Sequence, residues 1–231
     1  MGIFASDLDY DRNRILEAAS RARSRKRYRK ATALYRRVLA VEPSNVELHA
    51  RLAPLLAATG QRFDAWASFQ VCARTALAEK RLERAAAVYR EATRCLPRQL
   101  AAWLKLARVE RQRGREREAF ETLLEGRQQF RARCCRPEAI ALLRRALAIE
   151  RSSVPVVLDL SRLLACSDQE SEAQLLLERL ADRSHSVDLR RVRGAQWRIA
   201  PTLTNTWRWL HAAATSSNQN NHAPTTRRIR T

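Results

Sequence analysis

Catalysis and metal binding need nucleophiles, acids, bases or ligands that recur at a spacing able to bring them together. Such patterns are sparse in this chain. Its four histidines (His49, His185, His211, His222) stand far apart, without ligand spacing to one another or to a cysteine. Five cysteines (Cys72, Cys95, Cys134, Cys135, Cys166) contain no CxxC pair, and the adjacent Cys134 and Cys135 are poorly placed to bridge each other. The glycines, at 2, 60, 114, 126 and 194, are too scattered for a phosphate-cradling loop, a dinucleotide turn or a nucleophile elbow. Acidic neighbours such as Glu116 and Glu118 lie among arginines, where a helical surface salt network is the ordinary arrangement. The sequence therefore points away from an enzyme and implies neither cofactor nor metal. Cations remain. Arg51 and Lys105 stand one internal period apart, and with Arg108 they form the expected contacts to acidic groups on a partner.

That period governs the elements that must position these cations. RYRKATALYRRVLAVEPS from Arg27 aligns without gaps on RLERAAAVYREATRCLPR from Arg81, 54 residues on. RPEAIALLRRALAIERSS, from Arg136, aligns at the same spacing once read from Cys135. The stretches beginning at Asn45, Gln99 and Ser153 match likewise, with His49, Trp103 and Val157 in register. Within each phrase apolar residues recur at helical spacing, as in Ala31, Leu34, Tyr35, Val38 and Leu39. Breaks at Pro43, Gly60, Pro97, Gly114 and Ser152-Ser153 punctuate ten predicted helices: 12–25, 28–41, 46–59, 62–78, 82–96, 100–113, 117–132, 136–150, 154–166 and 170–182. Ser44 with Glu47, and Ser167 with Glu170, have capping-box spacing, Pro137 and Pro155 suit first turns, and Pro54 predicts a kink. The fold class read from this is all-α. The run RARSRKRYRK at 21–30 falls across one of the predicted turns, so it reads as a solvated turn before a nucleic-acid grip.

The pattern resembles the tetratricopeptide repeat, a helix–turn–helix unit of about 34 residues with a Leu-small pair in its first helix and a small residue and an aromatic in its second. Matching residues include Ile15, Ala31, Tyr35 and Pro43, then Leu52-Ala53, Gly60, Ala65 and Phe69, then Trp103, Leu106-Ala107, Gly114, Ala119 and Leu123. The resemblance covers about 12–183 and implies a right-handed α-α superhelix whose surface binds a protein or peptide. It departs from the family in one respect: 54 residues hold three helices rather than two. Helix 62–78 fits both the second helix of one unit and the first of the next, so either the unit has three helices or equivalent helices alternate between layers. Alanines 31, 65, 85, 119, 139 and 173 are expected at close helix contacts, with Tyr35, Phe69, Tyr89, Leu123, Leu143 and Leu177 filling the spaces. Trp66 and Trp103 read as core. Family members that clamp a carboxylate tail use Lys and Asn on successive first helices. The corresponding places here carry Asn13, Leu16, Glu17, Ser20, Arg51, Ala101 and Lys105, so that clamp is incomplete.

Four stretches follow: an N-terminal extension at 1–11, the repeat domain at 12–183, a candidate capping segment at 184–214 and an expected disordered basic tail at 215–231. The last two carry eight arginines against the single acid Asp188, together with Trp197, Trp207 and Trp209. Leu203, Trp207, Leu210 and Ala214 could make a short amphipathic cap; the same tail could touch RNA or an anionic membrane surface, or be unselected. The formal net charge of +20 comes from 40 arginines and only four lysines, a bias that fits GC-rich codon usage as well as selection for acidic partners. Free cysteines point to a reducing cytoplasm, and no apolar stretch approaches the length of a membrane span. The expected function is a non-enzymatic cytoplasmic adaptor binding a protein or peptide, with an acidic segment as the candidate. The alternative is a helical-repeat protein that binds RNA through its basic surface, and the oligomeric state is not legible.

Overall fold

The computed structural model describes residues 11–220, and the order of elements is helix after helix. They are α1 (Arg12–Ser24), α2 (Tyr28–Val41), α3 (Val46–Ala58), α4 (Arg62–Ala78), α5 (Leu82–Cys95), α6 (Leu100–Gln112) and α7 (Glu116–Gln129). A 3-10 turn at Arg133–Cys135 leads to α8 (Arg136–Ile149), α9 (Val154–Ala165), α10 (Glu170–Ala181), α11 (Ser186–Ile199) and α12 (Leu203–Asn220). The described residues form no strand. Ten of these helices fall within about three residues of the sequence expectation, because each is bounded by a Gly, Pro or cap residue that ends its apolar period. The last two lie beyond the predicted helices. Helix α12 runs past Thr215, where disorder is expected, and the remainder of that expected tail, like most of the N-terminal extension, lies outside the described residues.

Two compact units divide the chain inside α7, between Thr122 and Leu123. In the first, consecutive helices pack from α1 through α6; in the second they pack from α8 through α12. Turns of a few residues send each helix back along its predecessor. The expected small-and-large pairing holds throughout. Ala31, Ala65, Ala85, Ala119, Ala139 and Ala173 are all 0% exposed, and their large partners from Tyr35 to Leu177 are no more than 3% exposed. An alanine lets two backbones approach, and the aromatic or leucine one turn on fills the space that approach leaves. Trp103 is buried, and Trp66 packs against the core with its ring 6.3 Å from that of Tyr89.

Turn chemistry explains the three-helix period. Lys26, Gly60, Lys80, Gly114 and Asp168 all have positive φ, between 56° and 83°. After each, the next residue's N–H reaches back to a helical carbonyl: Arg27 to Ala22, Gln61 to Leu56, Arg81 to Ala76, Arg115 to Glu110 and Gln169 to Leu164. That is the Schellman ending, in which a left-handed residue satisfies the last carbonyls. The turns after α2, α5 and α8 close differently, with Asn45, Gln99 and Ser153 donating to the carbonyls of Glu42, Leu96 and Glu150. In the first two periods the order is left-handed turn, proline turn, left-handed turn; in the third a 3-10 turn at Arg133–Cys135 takes the first place. So α4 lies between two left-handed turns, as second helix of one hairpin and first of the next.

The layers alternate within each unit. Helix α3 touches α5, and α9 touches α11. Side chains link α2 to α4 through Arg36 with Asp64, and α8 to α10 through Arg144 with Glu172 at 2.8 Å. Because a period is three helices, α2 and its equivalent α5 lie in opposite layers of the first unit.

Several local expectations are corrected. Asn45, not Ser44, caps α3, its side chain accepting from the Leu48 N–H at 3.2 Å. Ser167 makes no capping box; its hydroxyl donates back to the Leu163 carbonyl at 2.9 Å, and Gln169 occupies the cap. Pro137 and Pro155 do sit in first turns. Pro54 lies inside α3, where it removes the donor that the Ala50 carbonyl would otherwise receive. The basic run of 21–30 is solvent-exposed except at Tyr28 and Ala22, and Lys26 forms its left-handed turn.

Candidate functional site

The period predicts that Arg51 and Lys105 hold the same place on α3 and α6, and their surroundings differ in a way that singles out one of them. Arg51 is paired with Glu47 one turn earlier on its own helix. One period on, Glu47 is replaced by Ala101, so Lys105 has no such partner. A further period on, the position holds Asp159, which accepts two hydrogen bonds from Arg127, at 2.9 and 3.2 Å. Of the three equivalent charges, Lys105 alone makes no ion pair with a described residue.

Lys105 lines a groove of about 570 Å³ within the first unit, formed by the end of α4, the turn at Lys80, α5 and α6. Three cations rim it: Lys80, Lys105 and Arg108. None of the three is ion-paired within the described residues, and no carboxylate lines the groove. Its floor is apolar, from Leu77, Leu82 and Val109 together with the ring of Tyr89. Lys80 is carried to the rim by its left-handed φ of 56° at the helix end. Burial pushes the Tyr89 phenol above its ordinary range, against the pull of Arg74 and Arg108, so its hydroxyl stays protonated at neutral pH. The arrangement offers point charges around an apolar floor, which fits a carboxylate neighbouring an apolar side chain.

The structure thus brings Lys105 and Arg108 together and leaves Arg51 outside the groove. Sequence reasoning misses Lys80. Its signal is available: only four of the 44 basic residues are lysine, and Lys80 and Lys105 are two of them. A compositional drift toward arginine would not favour lysine at two points of one groove. Tyr89 reads in the sequence only as core, and it is both core and floor.

A second basic groove, of about 370 Å³, lies in the other unit between α8, α9 and α10. Arg144, Arg151, Arg179 and Arg183 rim it, but Arg144 is already held by Glu172. A third, of about 590 Å³ along α9 and α11, mixes Asp159 and Glu170 with arginines and has no single sign. Among the described residues, no three His, Cys, Asp or Glu side chains gather where a metal ion could be held. Cys72 is buried and its thiol is pushed up to about 11 by that burial, which makes it a poor nucleophile.

The fold is an all-α array of helical hairpins of tetratricopeptide-like kind, built from the chain's own buried small-and-large pairs and turn types. No protein-family model matches the chain, and no curated protein is significantly similar to it. Solved structures share low identity with it. A crystal structure of MamA is 13% identical, covering 88% of this chain and 97% of that one, with a TM-score of 0.33. TTC0263, a thermophilic tetratricopeptide repeat protein in Thermus thermophilus, is 17% identical over 91% of this chain and 92% of that one, with a TM-score of 0.32. PilW, a type IV pilus biogenesis factor, is 18% identical over 91% and 94%, with a TM-score of 0.29. A likeness of this size carries no inference about function or descent.

Proposed function

We propose that the protein is a non-enzymatic cytoplasmic adaptor that holds an acidic segment of a partner protein in the groove between α4, α5 and α6. The observation that carries this reading is the unpaired Lys105. Arg51, at the equivalent place, and Arg127 each hold an acid, whereas here three cations without an ion pair among the described residues converge over an apolar floor. Surface charges alone steer association and set specificity, while the apolar floor supplies burial on binding.

The test compares protein recovered from cell extract by the full chain, by Lys105→Glu with Arg108→Glu, and by Arg51→Glu. All three substituted side chains are exposed, so the variants should fold alike. A partner recovered by the full chain and by the Arg51 variant should fall by roughly tenfold with the double variant, as expected when a like charge faces the partner's acid. Equal recovery by the double variant would remove the groove from the mechanism. Recovery of RNA in place of protein, lost with the same variant, would favour a nucleic-acid role instead.

A further inference from the structure

Five of the eight large apolar side chains that stand exposed among the described residues belong to the last hairpin: Val187 and Trp197 on α11, and Leu203, Trp207 and Leu210 on α12. The sequence expectation is that Leu203, Trp207, Leu210 and Ala214 turn inward as a cap. They do not. Helix α12 rests on α11 through its other side, where Trp209 stacks on Trp197 with ring centroids 5.7 Å apart and Ala212 is buried. Gly194 admits the Trp209 ring, since a Cβ there would lie 3.3 Å from its Nε1. The capping of α10 falls to α11, whose Val192 packs with Leu177 and Leu180. Leu203 is consequently 92% exposed and Trp207 71%. With Leu210 and Ala214 they follow i, i+4, i+7 and i+11 spacing, a continuous apolar stripe facing away from α11.

We propose that this stripe seats the protein on an anionic lipid bilayer, independently of the groove. Charge complementarity selects that occupant. The hairpin from Ser186 to Asn220 carries Arg190, Arg191, Arg193, Arg198 and Arg208 against Asp188 alone. A second copy of the chain would set two such arginine-rich hairpins face to face. The other exposed apolar residues, Val41, Phe63 and Leu175, are single residues on three different helices and offer no complementary patch. RNA is a poorer fit, because the stripe is mainly aliphatic and two of the hairpin's three indoles stack on each other. A bilayer suits each part: leucines in the acyl boundary, Trp207 at headgroup level and arginines on lipid phosphates. Helix α12, about 27 Å long at 1.5 Å per residue, would lie in the interface plane. No described helix is long and apolar enough to cross a membrane.

The experiment is flotation of the full chain with vesicles of phosphatidylglycerol mixed into phosphatidylcholine, and with phosphatidylcholine alone. We expect the chain to float with the anionic vesicles and not with the neutral ones. Leu203→Ser with Trp207→Ser and Leu210→Ser should lower the floated fraction roughly tenfold, because the apolar anchor is gone while the arginines remain. Circular dichroism should be unchanged, since these side chains are exposed. The groove variant at Lys105 and Arg108 should float like the unsubstituted chain, which separates this site from the adaptor reading. Undiminished flotation of the stripe variant would reduce the effect to plain charge adsorption and overturn the proposal. So would absence of flotation, or light scattering showing that the stripe variant turns a dimer into a monomer.

Discussion

The least expected side chain is Glu110, 2% exposed on α6 and held by Arg90 and by Arg113, each at 2.8 Å. Its equivalents one period away are Leu56 and Leu164, both buried, and the equivalents of Arg113 are Thr59 and Ser167. Those hydroxyls donate back to the carbonyls of Leu55 and Leu163. The middle repeat has therefore exchanged an apolar residue and a hydroxyl for a buried ion pair. A pair of this kind is costly to break, because truncating one partner strands the other's charge. Glu110→Ala should destabilise by about 3 kcal/mol, at the lower end for a buried pair because Arg113 retains Glu83 at 2.9 Å. Glu110→Leu with Arg113→Thr restores the pattern of the neighbouring repeats and should stay within about 1 kcal/mol of the starting chain. Urea unfolding of both variants checks this, and a double variant as unstable as Glu110→Ala would mean the site cannot repack as its sisters do.

At the scale of elements, the left-handed turn is the joint that recurs. Glycine takes a φ above zero at no steric cost, whereas Lys26 and Lys80 take it against their Cβ. Gly114 has φ +76° and open space where a Cβ would stand, so only backbone strain opposes a side chain there. Gly114→Ala should destabilise by about 1 kcal/mol, and Lys26→Gly should stabilise by up to about 1 kcal/mol. Thermal unfolding reads both changes, and opposite signs would mean that the turns are not held in the Schellman form. Lys26 is the better test than Lys80, whose side chain also rims the groove. One further period on from Lys80 stands Cys134, and there the left-handed turn gives way to the 3-10 turn, with Pro137 in the first turn of α8.

For the molecule as a whole, the net charge of +20 ensures attraction to any polyanion. Such attraction is insensitive to sequence and falls steeply as salt displaces it. Binding of an arbitrary single-stranded oligonucleotide should therefore drop by at least about tenfold between about 50 and 200 mM salt. Capture of the groove's partner should fall less, because its apolar floor is not screened. Fluorescence anisotropy across a salt series distinguishes the two. Sub-micromolar oligonucleotide affinity that survives physiological salt would shift the reading from adaptor to RNA-binding protein.

Fold class, ten helix positions and the small-and-large core pairs were legible in the chain, because each rests on local periodicity and local turn residues. Ala31 with Tyr35, or Gly114 closing α6, needs no knowledge of distant residues. The last hairpin was not legible, because residues 184–220 break the repeat and their apolar spacing does not say which side of α12 faces α11. That was decided by the stacking of Trp197 on Trp209 against Gly194, a contact between residues on two helices. The candidate site was half legible. Lys105 and Arg108 share one helix and could be read from spacing, but Lys80, Tyr89 and Leu77 reach them only because α4, α5 and α6 pack together. Whether a cation is free also depends on its neighbours in space. The sequence shows Arg51, Lys105 and Asp159 in one register and Glu47 one turn before Arg51, but only the tertiary structure brings Arg127 to Asp159 and leaves Lys105 without an ion pair among the described residues.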